Sequence, residues 1–140
     1  MTEDHSSCIR VSDGFKTKKV GGTVVGNGLQ TVKYQYNIRG WMTQINDPNN
    51  LGGDLFGYKI KYNQVDGLQT PDASDSSLQV VPRYNGNIAE VDWRIGNEND
   101  PLKRYGYVYD GLNRLSAGFY QNETNPGNVS KLVMTVFQKT

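Results

Sequence analysis

A short pattern written twice constrains this chain more than any other feature. Tyr34-Gln35-Tyr36-Asn37-Ile38-Arg39-Gly40-Trp41-Met42 lays over Tyr107-Val108-Tyr109-Asp110-Gly111-Leu112-Asn113-Arg114-Leu115, giving Tyr-x-Tyr-Asn/Asp-x-x-Gly/Asn-x-Met/Leu. Side chains on a strand alternate between faces, so Tyr34 and Tyr36 share one face, as do Tyr107 and Tyr109. The Asn37 or Asp110 that follows can bond its own downstream backbone and start a turn. Gly40 and Asn113 are residue types that tolerate a left-handed backbone, and an apolar residue, Met42 or Leu115, then resumes the strand. Each copy predicts a β-hairpin, so the chain carries an internal structural repeat.

The motif resembles the YD repeat of the Rhs (rearrangement hot spot) family, roughly Tyr-Asp-x-x-Gly-Arg-Leu. Tyr109 to Leu115 fits it with Asn113 in place of Gly; Tyr36 to Met42 fits it with Asn for Asp, Trp for Arg and Met for Leu. Tyr84-Asn85-Gly86-Asn87-Ile88 resembles a contracted copy, and Asp13-Gly14-Phe15-Lys16-Thr17 the tail of another without its Tyr. The wording from Tyr34 to Tyr120 is similar to Rhs-repeat proteins of flavobacteria. The resemblance implies an all-β fold of successive antiparallel hairpins forming a curved ribbon or partial β-shell, with little helix. In relatives such a shell encloses a C-terminal toxin or effector and helps deliver it, and the full-length proteins are secreted or displayed at the cell surface. It further implies that this chain is a fragment: its partners would be the remaining repeats of a longer chain, further copies of itself, or an enclosed effector.

Composition supports a turn-rich β structure with aromatic rather than aliphatic buried faces. Only 36% of the residues are hydrophobic, yet there are 16 Gly and 9 Tyr among 140. The net charge of +1 with interspersed signs gives no basic track for nucleic acid. No apolar run is long enough to predict a membrane span. The polar start Met1-Thr2-Glu3-Asp4-His5 carries no signal-peptide core, so the chain expressed alone is expected in the cytoplasm. The single Cys8 excludes an intrachain disulfide and a cysteine-based zinc site, and reads as a structural thiol.

Along the chain, residues 1–14 read as a loose lead-in and 15–120 as the repeat segment. Within it, 63–77 is expected to be a mobile polar insertion, and 121–140 a linker with an atypical C-terminal strand. Tyr58-Lys59-Ile60-Lys61-Tyr62 alternates, with Lys59 and Lys61 on the polar face, where they could guard an exposed edge. A two-residue type I′ turn at Asn85-Gly86 pairs Pro82 with Ala89, Val80 with Val91 and Leu78 with Trp93 on one face, and leaves Glu90 and Asp92 on the other. Pro82 would put that strand at an edge or leave it paired on one side only there.

No catalytic constellation is legible with a single histidine, His5, so the sequence predicts a non-enzymatic chain with no cofactor and no metal. The run Gly21-Gly22-Thr23-Val24-Val25-Gly26-Asn27-Gly28 lacks the Lys-Ser/Thr of a phosphate loop and reads as a turn. Asp47-Pro48 and Asp100-Pro101 read as turn starts, not as the cleavage signature found beyond the repeats in family members that mature by cleavage. Asp66, Asp72 and Asp75 are scattered and read as solvated. The sharper alternative is a carbohydrate-binding or cell-surface recognition module, in which Tyr58, Tyr62, Trp93 and Tyr105, joined by Trp41 and Tyr107, stack on sugar rings.

Overall fold

The computed structural model describes residues 14–97 and 99–132. Eight antiparallel strands form one open sheet in chain order: β1 (Phe15–Val20), β2 (Gln30–Tyr36), β3 (Met42–Ile45), β4 (Phe56–Lys61), β5 (Glu90–Ile95), β6 (Lys103–Tyr109), β7 (Leu115–Asn122) and β8 (Ser130–Leu132). The all-β expectation holds, with no helix among the described residues. Cys8, His5 and Asp13 lie outside the described residues, as does the end of the expected C-terminal strand after Leu132.

Described residues up to Lys59, with those of Trp93–Asp100, form one compact unit; Ile60–Asp92 and the described residues from 101 to 132 form a second. In the first unit the glycine-rich run is the β1–β2 connection. Gly21, Gly22 and Gly26 all take positive φ there, and the hairpin closes from Val20↔Gln30 to Phe15↔Gln35. β3 pairs with β2 and β4, with Gln35 opposite Gln44 and Gln44 opposite Lys59. Asn46, at φ 49, turns the chain out of β3. Its Oδ1 accepts the Lys33 N–H at 2.9 Å and its Nδ2 donates to the Phe56 carbonyl at 2.7 Å, which fixes the start of the 47–54 loop.

In the second unit β6 and β7 pair over seven positions, with Val108 opposite Ala117 and Gly106 opposite Phe119. Ala89, Val108, Ala117 and Phe119 form a core with Leu68 and Val80, which come from the long β4–β5 connection. Gly106 makes this packing possible: a Cβ there would lie 2.8 Å from Val80 Cγ2 and 3.0 Å from Leu68 Cδ1. Removing such side chains from water contributes on the order of 25 cal/mol per Å² of apolar surface.

The structure departs from three local expectations. The segment expected as a mobile polar insertion is anchored, because Leu68 is fully buried in this core. The hairpin about Asn85-Gly86 does not form, and residues 78–83 belong to no strand. A type I′ turn needs positive φ at both central residues, and only Gly86 has it, at 95°. The Arg83 N–H instead donates to the Tyr62 carbonyl and the Ala89 N–H to the Lys61 carbonyl, so both ends of this stretch close on the end of β4. Finally, β4 lies between β3 and β5, so Lys61 guards no edge; it is buried at 3% exposure.

Candidate functional site

The densest polar chemistry lies in the second unit. Lys61 Nζ sits 2.6 Å from Glu90 Oε1, 2.6 Å from Asp92 Oδ2 and 2.8 Å from Asp66 Oδ2. Arg104 grips Asp92 with two donors, Nε to Oδ1 at 2.6 Å and Nη2 to Oδ2 at 3.0 Å, the bidentate geometry that suits guanidinium and carboxylate. Its Nε also lies 3.3 Å from Glu90 Oε1. Glu90 accepts the successive N–H groups of Asp66, Gly67 and Leu68 at 3.1 to 3.2 Å, a backbone concavity that binds an anion. A Cβ at Gly67 would run into Arg104 Nη1, so a side chain there would have to displace the guanidinium.

Alternation explains how the sequence builds this cluster. Glu90 and Asp92 are two apart on β5 and so share a face, and Arg104 leads toward Gly106 and Val108 on β6 in the same way. The ionic groups and the apolar core therefore share one covered face. Burial by itself lowers the pKa of the Lys61 ammonium, but its bonds to Asp66, Asp92 and Glu90 outweigh burial and hold the pKa above that of ordinary lysine. The bond to Asp92 likewise raises Arg104, against burial. Oxygens of Asp66, Glu90 and Asp92 lie within 4.8 Å of one another, the one carboxylate group among the described residues with metal-ligand spacing. Lys61 Nζ occupies the point on which they converge, so the protein supplies its own cation.

None of these five residues was singled out as a site from the sequence. By sequence Lys61 reads as an edge guard, Asp66 as solvated, and Glu90 and Asp92 as lying on the hairpin face away from Ala89, Val91 and Trp93. Their association depends on long-range register and on the 62–89 connection folding back, which no local pattern encodes.

The repeat residues form two equivalent turns. Asn37 Oδ1 accepts the Arg39 and Trp41 N–H groups, each at 3.0 Å. Asp110 Oδ1 accepts the Leu112 and Arg114 N–H groups at 2.8 and 2.9 Å. In both, the Asn37 or Asp110 N–H donates to the carbonyl four residues on, at 2.9 Å. Gly40 and Asn113 are left-handed, at φ 78 and 61, as the pattern predicts. The pairing shifts register at Tyr36 and again at Tyr109, leaving Tyr36 opposite Met42 and Tyr109 opposite Leu115. Each of these tyrosines carries a cation over its ring: Lys16 over Tyr36 at 5.1 Å and Arg83 over Tyr109 at 4.9 Å. Tyr34 and Tyr107 stand two residues earlier on the same strands, Tyr34 opposite Ile45 and Tyr107 opposite Gly118. The Tyr84-Asn85-Gly86 copy differs, since Asn85 Oδ1 accepts only the Asn87 N–H, at 3.0 Å, and its Nδ2 donates to Asn113 Oδ1 at 3.0 Å.

Of the aromatics expected as a sugar platform, Tyr58 and Trp93 lie in the first unit and Tyr62 and Tyr105 in the second. All four are half-buried. Tyr58 stacks beside Phe56 at 6.2 Å and Tyr105 tilts against Tyr120 at 5.1 Å. Comparison with protein-family models, with curated proteins and with solved structures finds no match.

Proposed function

We propose that this chain is a non-catalytic structural segment of an Rhs-type YD-repeat β-shell, a piece of wall that in its full setting helps enclose and deliver a toxin or effector. The observation that carries this reading is the pair of superposable turns at Asn37 and Asp110. They share every side-chain-to-backbone bond, the left-handed position, the register shift and the cation over the preceding tyrosine. A catalytic site needs no such regularity. A ribbon of hairpins does, because each turn must return the chain to the neighbouring position in the sheet.

The polar chemistry supports the same reading. Lys61 and Arg104 offset two of the three clustered negative charges, and Glu90 also accepts three backbone amides. Such a cluster fastens the 62–89 connection to the sheet. Among the described residues the sheet ends at β1 and β8, whose exposed edges can accept further strands or a further copy. Size-exclusion chromatography with a urea melt tests this. A wall piece isolated from its neighbours self-associates or melts at low urea. A monomer that unfolds cooperatively only at high urea would count against it.

A further inference from the structure

The first unit holds a polar cleft of about 420 Å³ that the wall reading does not use. Its floor is a row across three strands. Phe15 on β1 is opposite Gln35 on β2, which is opposite Gln44 on β3. Lys33, two residues before Gln35, lies on the same face. The side wall is the 47–54 loop, with Leu51 and Asp54 facing the floor residues. Ligand sites commonly enclose roughly 300–1,000 Å³, so the space suffices for a small ligand.

The wall is built in advance. Asn46 ties its start to β2 and β4, as described above. Gln30 ties its end, donating to the Gly53 carbonyl at 3.1 Å and accepting from the Leu55 N–H at 3.4 Å. Between these anchors Pro48 is fully buried. It packs so closely on Gly57 that a Cβ there would lie 2.7 Å from the Pro48 Cα. A loop held at both ends and its middle costs little entropy to order on binding.

The floor's chemistry selects the ligand class. The side-chain amides of Gln35 and Gln44 make no hydrogen bond to another described residue. Each amide both donates and accepts, which matches a hydroxyl that does the same. Phe15, 37% exposed, offers a ring for the apolar face of a sugar. Asp47 and Asp54 add two carboxylates against one ammonium, Lys33, which disfavours an anionic ligand. We propose that the cleft walled by Gln35, Gln44, Phe15 and the 47–54 loop binds a neutral saccharide. The site is separate from the aromatics expected from the sequence, and it stands or falls independently of the wall reading.

The test is an array of neutral and acidic glycans probed with the full chain, followed by calorimetric titration of the best neutral oligosaccharide. The expected result is binding of neutral glycans, weakened about tenfold or more in a Gln35→Ala/Gln44→Ala variant with unchanged circular dichroism. Trp93→Ala should leave that binding intact. Should the double variant fail to fold, Gln44→Asn keeps an amide but withdraws it by one methylene, and lowered affinity in that variant supports the site. The proposal is overturned by absence of neutral-glycan binding, by binding of sulfated or sialylated glycans alone, or by binding that survives the glutamine substitutions.

Discussion

The Asp110 turn and the Lys61 cluster both rest on carboxylates, and they use them in opposite ways. Asp110 finds every partner within four residues, at the backbone of Leu112 and Arg114 and at Arg114 Nε, 2.7 Å away. Glu90 and Asp92 find theirs at Lys61, Asp66–Leu68 and Arg104, across long stretches of chain. The first arrangement specifies a conformation of one short segment. The second joins separate segments around the buried Lys61, Glu90 and Asp92. The local arrangement is therefore adjustable, while the buried one fails as a set: losing one ion leaves the others uncompensated in low dielectric.

The largest expected effect follows from that difference. Lys61→Met leaves three carboxylates facing Arg104 alone and should cost about 3–5 kcal/mol, read as a lowered urea midpoint with an unchanged slope. Loss of stability no greater than that of an exposed lysine substitution would show that the cluster is not a cooperative unit. The same cluster has an alkaline signature. Because Lys61 is raised above its unfolded value, its contribution is complete below that value and is lost as pH rises through the folded one. Lys61→Met should abolish this alkaline loss.

Gly106→Val tests the cover rather than the ions. Its side chain must displace Val80 or Leu68, an overpacking cost of about 1–3 kcal/mol. The lost protection should appear in amide exchange at Gly67 and Leu68, with the Asn37 turn unaffected. Equal loss in both places would mean that the two regions do not open separately.

The turns were legible in the sequence and the covered face was not, for a physical reason. Asn37, Gly40, Asp110 and Asn113 act through bonds that their own neighbours complete, so residue type and spacing carry the answer. The cluster breaks the rule that charges face water. Alternation puts Lys61, Glu90 and Asp92 on the faces away from the apolar residues, and the polar composition of 63–77 conceals the buried Leu68. Even the failed hairpin was half right. Val80 and Ala89, expected on one face, do share a core, but as two parts of the connection that leads into β5 rather than as residues of two paired strands. The left-handed positions extend the contrast between turns. Gly40→Ala should cost about 1–2 kcal/mol, because no other atom lies near and only the positive φ resists the Cβ. Asn113→Gly, which relaxes its turn but gives up the bond from Asn85, should change stability by roughly 0.5 kcal/mol or less.

The smallest effect separates the two motif turns from each other. Hydrogen bonds from the Arg114 backbone, with those from its side chain and from Leu112, hold the Asp110 carboxyl below the usual carboxylate range despite some desolvation. A carboxyl lowered on folding contributes stability above its unfolded value, about 3.9, and loses it as pH falls through the folded one. Asn37 makes the same backbone bonds with a neutral amide that does not titrate. Acidification should therefore shift the Leu112 and Arg114 amide resonances before global unfolding, while those of Arg39 and Trp41 stay in place. Asp110→Asn should convert the second turn into the first and remove its acid response, and Asn37→Asp should introduce that response in the other hairpin. If the four resonances move together, the turns do not act as independent local switches, and charge at this position contributes nothing beyond what the shared geometry supplies.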